Sequence, residues 1–254
     1  MPSLSIFFPC YNDAGTIGSM IAAADRVASE FTADYEILAV DDGSSDSSRK
    51  LLEELRLKYS KLKLIFHIKN RGYGAAIRSG IASATKDLLF YTDGDGQYDV
   101  FELRKLLPIM QDGMDVVNGY KILRHDPFHR VVIGIVYLRL MRLLFNFKLR
   151  DIDCDFRLIR RSILEKICLK HDSGVICLEL VKKLELAGCR FAKYPVNHYH
   201  RSYGRSQFFK FGRLSRTVLN IFSLWWELVI LRQTRRPDAS SKILDSRTQN
   251  PSLV

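Results

Sequence analysis

The sequence predicts an α/β fold in which helices flank a mainly parallel sheet. Short apolar runs that are typical of buried strands alternate with segments of helical periodicity through the first third of the chain. Three of these runs end in clusters of polar residues, and α/β sheets bind their ligands at the carboxyl ends of the strands. The second half adds amphipathic helices. We therefore expect one binding site at the sheet edge, with helices of a different kind beside it.

The alternation begins with an apolar run that Pro9 ends, followed by helical spacing of Ile17, Ile21 and Ala24. The unit recurs along the chain, with predicted strands at Ser3–Cys10, Tyr35–Val40, Leu62–Ile68 and Asp87–Tyr91. Strands that are joined through helices imply right-handed crossovers and parallel pairing. The polar segments that follow the first, second and fourth strands would then meet at one edge: Pro9–Asp13, Asp41–Asp42 and Asp93–Gln97.

The segment after the fourth predicted strand carries two carboxylates one residue apart, Asp93 and Asp95. Side chains alternate along an extended chain, so both carboxylates point the same way. With the amide oxygen of Gln97 they form a set of hard ligands that suits Mg²⁺ or Mn²⁺ and leaves positions for phosphate oxygens. A calcium loop is excluded because Tyr98 stands where that loop needs glycine. An acidic turn without a metal is the remaining alternative.

No Gly-x-Gly-x-x-Gly motif follows the first predicted strand, and the chain has no Walker motif. A dinucleotide-binding fold and a P-loop are thereby excluded, and phosphate would be handled by a metal and by cationic side chains. Asp42 ends the second predicted strand, where it is placed to accept hydrogen bonds from a base or a ribose. The chemistry indicated is the metal-assisted departure of a diphosphate.

Four segments resemble one family in their order and spacing: FPCYNDAGTI, VDDGSSDSS, NRGYGAAIRSG and YTDGDGQYD. They resemble the nucleotide-sugar half of family 2 glycosyltransferases of the GT-A fold, a Rossmann-like fold. Within this family the chain looks most like the polyprenyl- or dolichyl-phosphate sugar synthases, over residues 3–231. Where many relatives have glutamate this chain has Asp13, so the resemblance leaves the preferred nucleotide open.

The resemblance implies a role for each residue of the site. Mg²⁺ or Mn²⁺ would be held by Asp93, Asp95 and Gln97, and the two carboxylates would be catalytic. The nucleotide sugar would be bound by Pro9, Tyr11, Asn12, Asp13, Val40, Asp42, Asp93, Gly94 and Asp95.

The second half resembles the acceptor side of the same enzymes. DIDCDFR resembles the family's Asp-x-x-Ser-Gly-Phe motif and matches its first residue with Asp151. Asp151 would act as a catalytic base or fix the acceptor loop, and both interpretations stay open. Arg124 and Arg130 fall where relatives place arginines on a lipid phosphate, and HYHRSYGRS resembles an acceptor loop that contributes Arg201. Gly134 replaces a serine of the relatives.

Charge is distributed unevenly along the chain. Residues 1–120 carry 13 lysines and arginines against 17 acidic residues, whereas residues 121–254 carry 26 against 11. A strongly basic half indicates an anionic partner. The candidates are nucleic acid, an anionic membrane surface and a phosphorylated substrate. Nucleic acid is the weakest of the three, because the basic residues alternate with aliphatic side chains and not with exposed aromatic ones.

Two segments of this half predict helices that lie in a membrane interface. In Val131–Arg150, a narrow polar stripe of Arg139, Arg142, Asn146 and Arg150 marks an otherwise apolar helix. In Phe209–Leu231, one face carries Leu214, Val218, Ile221, Trp225 and Leu228, and the Trp225-Trp226 pair is typical of an interface. The alternative is a pair of core or dimer-forming helices, and a homo-oligomer stays open.

We expect one GT-A domain over residues 1–236, with a nucleotide-sugar half (1–120), an acceptor and membrane-interface half (121–236), and a flexible tail (237–254). Five cysteines without a Cys-x-x-Cys motif predict a reducing compartment, and the N-terminus shows no signal peptide. The predicted function is an inverting transfer of a hexose from a nucleotide-diphosphate sugar to a polyprenyl phosphate at the cytoplasmic face of a membrane. The alternatives are transfer to a saccharide hydroxyl and a catalytically silent membrane-docking scaffold.

Overall fold

The computed structural model describes residues 1–124, 128–147, 149, 151–201, 203–204 and 211–231. Within these residues, seven strands form one sheet: β1 (Leu4–Cys10), β2 (Tyr35–Asp41), β3 (Leu62–Phe66), β4 (Leu88–Thr92), β5 (Val116–Arg124), β6 (Phe156–Arg160) and β7 (Phe191–His198). The helices are α1 (Ile17–Phe31), α2 (Ser48–Lys58), α3 (Tyr73–Ser83), α4 (Leu103–Gln111), α5 (Phe128–Phe145), α6 (Arg161–Leu164), α7 (Ile176–Leu186) and α8 (Phe211–Trp225). A turn of 3₁₀ helix (Val100–Glu102) precedes α4, and a π-helical turn (Trp226–Ile230) continues α8.

The strands lie in the order β3-β2-β1-β4-β6-β5-β7. The pairs β1–β2, β2–β3, β1–β4 and β5–β7 are parallel, and β6 runs antiparallel between β4 and β5. This arrangement confirms the predicted α/β fold with a mainly parallel sheet flanked by helices. The four predicted strands of the first third are all present, and β1, β2 and β4 are adjacent.

The central strands are buried on both faces because helices cover both sides of the sheet. Along β1, Ile6 and Phe8 contribute to one apolar cluster, whereas Phe7 between them contributes to the cluster on the opposite face. Such alternation is the period-two pattern of a strand. Ser5 of β1 is also buried, and its hydroxyl donates a hydrogen bond to the buried carboxylate of Glu36.

Helices α5 and α8 pack together over a third apolar cluster, which contains Met141, Phe145, Leu224 and Leu228. The indole Nε1 of Trp225 donates a hydrogen bond to the carbonyl of Leu144, at 2.9 Å. Both helices leave apolar side chains exposed on their other faces, namely Ile135, Val136, Leu140, Leu143, Val218, Leu219, Phe222 and Trp226. We call these eight residues the apolar surface.

One detail of the predicted helices is wrong, namely the end of the first one. Helix α5 ends at Phe145 because Asn146 adopts a left-handed conformation (φ 52°) and its N–H bonds the carbonyl of Arg142, a common way to end a helix. Asn146 therefore does not extend the predicted polar stripe, and Arg150 lies outside the described residues. Of the apolar face predicted for the last helix, Ile221, Trp225 and Leu228 pack on the third cluster, whereas Val218 is 59% exposed.

The tryptophan pair divides between two environments. Trp225 packs on the third cluster, whereas Trp226 is half-exposed. Among the described helices, none has both the length and the apolar character needed to cross a lipid bilayer.

Glu179 of α7 holds the loop that precedes this helix. Its carboxylate is completely buried and accepts hydrogen bonds from the backbone N–H groups of Lys170 and His171, from the His171 ring and from Lys183 Nζ. Burial alone would raise the pKa of Glu179, but the bonds from His171 and the charge of Lys183 lower it to about 2. A lowered pKa means that this carboxylate stabilises the fold above pH 4.5 and that the stabilisation is lost as the pH falls towards 2.

Glu179→Gln should lower the free energy of unfolding at pH 7 by about 3 kcal/mol, because it removes the buried charge that four donors require. Urea denaturation at pH 7 and pH 3 measures this, and the difference from the wild type should shrink at pH 3. Glu54→Gln is the control, since Glu54 is exposed and lies 4.0 Å from Lys50. An equal effect of Glu179→Gln at both pH values would contradict a role for the charge.

Candidate active site

The carboxyl ends of β1, β2 and β4 form the edge at which the predicted site residues meet. The register pairs Pro9 with Val40 and Cys10 with Asp41. Beyond the strands, the N–H of Gly94 bonds the Pro9 carbonyl (3.3 Å), and the N–H of Asp42 bonds the Cys10 carbonyl (2.9 Å). The three predicted polar segments therefore lie side by side, as expected from parallel strands.

Gly94, which lies between Asp93 and Asp95, lets the backbone of this segment pack closely on β1. A Cβ at position 94 would lie 2.9 Å from the Pro9 carbonyl oxygen, which is too close for a carbon atom. It would also lie 3.7 Å from Asp13 Oδ2. The glycine thus brings the carboxylates of the β4 end towards the loop after β1.

The loop after β1 is fixed by hydrogen bonds to the loop after β2. Asn12 has φ 59°, and its side-chain oxygen accepts from the N–H groups of Ser45 (2.8 Å) and Asp46 (3.2 Å). Its own N–H donates to Ser44 Oγ. Asn12 therefore shapes the predicted nucleoside loop through contacts within the protein.

Asp13 is buried beside this loop, and its Oδ2 accepts the N–H of Tyr11 at 3.0 Å. Burial raises the pKa of Asp13 to about 6, the Tyr11 bond opposes the shift, and the charge of Asp95 adds to it. The carboxylates at this edge thus disfavour each other's ionisation, and a cation between them would be stabilised.

Asp42 is held by three donors of the protein. His67 Nδ1 lies 2.6 Å from Oδ1, which also accepts the N–H of Arg71, and Oδ2 accepts the N–H of Gly72. The other ring nitrogen of His67 contacts Ser79 Oγ at 2.9 Å. Sequence reasoning missed His67, although it directly follows β3 and so lies at the same edge.

Asp93 and Asp95 differ in their partners. Asp93 Oδ1 accepts a hydrogen bond from the Tyr73 hydroxyl at 2.7 Å. Asp95 Oδ2 accepts from both Nη2 (2.6 Å) and Nε (3.2 Å) of Arg201, and its Oδ1 accepts the N–H of Gln97. Burial raises the pKa of Asp93 well above its ordinary value, and the charges of Asp155 and Asp95 raise it further.

Arg201 lies on the loop after β7, which crosses the edge of the sheet. The carbonyl of Gln97 accepts the N–H of Tyr199, and Gln97 Nε2 donates to the Tyr199 carbonyl at 3.0 Å. A Cβ on Gly15 would lie 2.4 Å from the ring of Tyr203. This loop thus reaches from the β4 end to the loop after β1, and the structure places Arg201 at the carboxylates.

A buried polar network lies beneath the carboxylates. Arg157 is completely buried and bonds Asp155 (3.0 Å), Asn118 Oδ1 (2.6 Å), the Tyr91 hydroxyl and the Ile152 carbonyl. Sequence reasoning missed Arg157. An arginine in second position of the strand sequence FRLIR, between apolar residues, was the available signal, because a strand in mid-sheet seldom buries an unpaired charge.

Asp151 is buried beside this network. Its carboxylate accepts the N–H groups of Lys121 and Asp153, each at 3.3 Å, and its carbonyl accepts from Asn118 Nδ2. These bonds attach the segment before β6 to β5. Strand β5 ends at Arg124, which pairs with His198 of β7, and Arg130 lies in α5. The side chains of Arg124 and Arg130 lie outside the described residues.

The carboxylates of Asp93 and Asp95 could offer oxygen ligands to a metal ion. Among the described residues, no group of three or more His, Cys, Asp and Glu side chains is placed to hold a metal ion. A cation at Asp93 and Asp95 would accordingly need further ligands from a substrate or from water, which is how Mg²⁺ is commonly held beside phosphates.

Solved structures of one enzyme share this fold. Glucosyl-3-phosphoglycerate synthase from Mycobacterium tuberculosis, in complex with Mn²⁺, UDP and phosphoglyceric acid, matches with a TM-score of 0.66 at 17% identity, over 93% of this chain and 80% of that chain. The same enzyme with Mg²⁺ and UDP matches with a TM-score of 0.62 at 18% identity, over 88% of this chain and 79% of that one. At such identity the likeness shows the GT-A fold.

The sequence itself identifies the family. Residues 5–168 match the family model for Glycosyl transferase family 2. They include β2, β3, β4, all of β1 except Leu4, and every carboxylate of the candidate site. The chain therefore belongs to glycosyl transferase family 2.

Proposed function

We propose that this protein is an inverting, metal-dependent hexosyltransferase that moves a sugar from a nucleotide diphosphate to a polyprenyl phosphate at the cytoplasmic face of a membrane. The observation that carries the proposal is the pair Asp93 and Asp95 at the end of β4, beside the loops that follow β1 and β2. Membership of glycosyl transferase family 2 supports sugar transfer.

The donor would lie along the edge formed by β1, β2 and β4. Pro9, Tyr11, Asn12, Asp13, Val40 and Asp42 would hold the nucleoside, and Asp93, Gly94 and Asp95 would face its diphosphate. The solved structures of the M. tuberculosis enzyme contain UDP, which supports a nucleotide at this fold's edge. The side-chain oxygens of Asn12 and Asp42 already make hydrogen bonds within the protein. Both residues would therefore act mainly by shaping the pocket.

Asp93 and Asp95, with Gln97, would hold Mg²⁺ or Mn²⁺. The donor set fits such an ion, because hard oxygen ligands suit it. Burial, and after it the charges of neighbouring carboxylates, raise the pKa values of Asp13 and Asp93, so positive charge is favoured here. In this structure the guanidinium of Arg201 supplies positive charge at Asp95. The bound ion would offset the charge that develops on the departing diphosphate.

The reaction would break the bond between the anomeric carbon and the diphosphate oxygen, and the electron pair leaves with the diphosphate. An oxygen of the acceptor phosphate forms the new bond from the opposite face of the sugar, which inverts the anomeric carbon. A phosphate monoester is ionised at neutral pH, so no proton has to be removed. Asp151, which accepts two backbone N–H groups, would then fix the acceptor side.

The acceptor would enter beside the basic half of the chain. Arg124, Arg130 and Arg201 would bind its phosphate and reduce the repulsion between two anions. The contact of Arg201 with Asp95 supports this proposal, because it brings a guanidinium to the place where donor and acceptor would meet. We assign residues 1–120 to the donor and residues 121–236 to the acceptor within one domain.

The apolar surface of α5 and α8 would rest on the membrane. Leu143 is 81% exposed and Phe222 is 61% exposed. Such exposed apolar side chains would be buried favourably in the acyl region of a bilayer. The exposed Arg139 lies among the apolar residues of α5, as expected for a helix that meets anionic headgroups.

Asp95→Asn should lower sugar transfer by orders of magnitude and weaken Mn²⁺ binding, because it removes one of two carboxylate ligands. Nucleotide-sugar turnover and the electron paramagnetic resonance signal of free Mn²⁺ measure these effects. Asp34→Asn is the matched control, since Asp34 also pairs with a cation, Lys86, but lies before β2 at the opposite edge. Full activity of Asp95→Asn, or of the wild type in excess chelator, would contradict the metal site.

The double variant Leu143→Glu/Phe222→Glu should lose at least about tenfold in binding to anionic vesicles, because two charges replace apolar contacts with the acyl region. Co-sedimentation with vesicles of phosphatidylcholine and phosphatidylglycerol measures the loss. Leu57→Glu is the control, since Leu57 is 87% exposed on α2. Unchanged vesicle binding with a fall in molecular mass would instead assign the apolar surface to a second copy of the chain.

A further inference from the structure

The turn before α3 and the first residue of this helix contact the carboxylates that follow β2 and β4. The N–H groups of Arg71 and Gly72 donate to the two oxygens of Asp42, at 2.9 and 2.8 Å. The next residue, Tyr73, donates its hydroxyl proton to Asp93 Oδ1. Asp42 follows β2 and Asp93 follows β4, and β1 lies between these strands. Three consecutive residues therefore contact both carboxylates.

Tyr73 is suited to act as a fixed donor. A tyrosine hydroxyl is neutral at pH 7 and can donate one hydrogen bond. The hydroxyl thus keeps its proton at neutral pH and donates it to the neighbouring carboxylate. A bond to Oδ1 sets the plane of the Asp93 carboxylate and hence the direction that Oδ2 faces.

The turn is supported from its other side by the loop that precedes α7. Gly74 N–H donates to the Asp172 carbonyl at 2.9 Å. A Cβ on Gly72 would lie 2.4 Å from Asp172 O, and one on Gly74 would lie 2.3 Å from His171 O. Glu179 in turn holds the backbone of His171. A continuous series of contacts therefore runs from the buried Glu179 to Tyr73.

We infer that Tyr73 is a positioning residue: its hydroxyl orients the Asp93 carboxylate for a divalent cation. The inference rests on the proposed function, because it needs a metal at Asp93 and Asp95. Groups that hydrogen-bond a metal-binding carboxylate fix its orientation, and their removal weakens metal binding without removing a ligand. The inference adds a tyrosine of α3 to a site otherwise built from strand ends and loops.

Tyr73→Phe removes only the hydroxyl, and it should weaken the binding of Mn²⁺ about tenfold. The electron paramagnetic resonance signal of free Mn²⁺ gives the dissociation constant without any need for turnover. Saturating Mn²⁺ should restore most of the turnover lost at low Mn²⁺, because both carboxylate ligands are intact.

Tyr35→Phe is the matched control. The Tyr35 hydroxyl also bonds a carboxylate oxygen, that of Asp25, at the same distance of 2.7 Å, but outside the site. It should lose thermal stability to a similar extent and bind Mn²⁺ as the wild type does. If Tyr73→Phe also binds Mn²⁺ within twofold of the wild type, the inference is wrong and the proposed function stands. If the wild type itself binds no Mn²⁺, the proposed metal site and the inference both fail.

Discussion

The buried ion pair between Arg157 and Asp155 supports the edge of the sheet on which the carboxylates lie. Through Asn118 and the Tyr91 hydroxyl, Arg157 joins β6 to β5 and β4. Removing one partner of such a pair leaves an uncompensated charge in the interior, which is strongly destabilising. Burial raises the pKa of Asp93, and the charge of Asp155 raises it further. The same network that holds three strands together therefore contributes to the electrostatics of the candidate site.

The parallel register of β2, β1 and β4 determines which groups can meet above this network. Backbone bonds from Gly94 to Pro9 and from Asp42 to Cys10 fix the three strand ends without using side chains. The side chains of Asp93 and Asp95 are thereby left to bind Tyr73 and Arg201. The two carboxylates are thus held by a neutral donor and by a cation, on strand ends that the backbone bonds fix.

The sequence predicted the sheet and the carboxylate edge because both depend on local patterns. Apolar runs that end in Asp42 or Asp93 define a strand and its end together. Contacts between distant segments have no local pattern, so the roles of His67, Tyr73 and Arg157 required the structure. The two helices of the second half are present, but the sequence could not tell which of their apolar residues pack inside, since α8 has apolar residues on both its buried and its exposed sides.

The most direct test of the account is a transfer assay with a choice of acceptors. Purified protein is incubated with Mn²⁺, a panel of nucleotide sugars and one of three acceptors: a short polyprenyl phosphate, the neutral polyprenol or 3-phosphoglycerate. Mass spectrometry then identifies the product. The account predicts a hexosyl phosphopolyprenol from one nucleotide sugar and no product from the neutral alcohol. Transfer to 3-phosphoglycerate or to the polyprenol, with none to the polyprenyl phosphate, would contradict it.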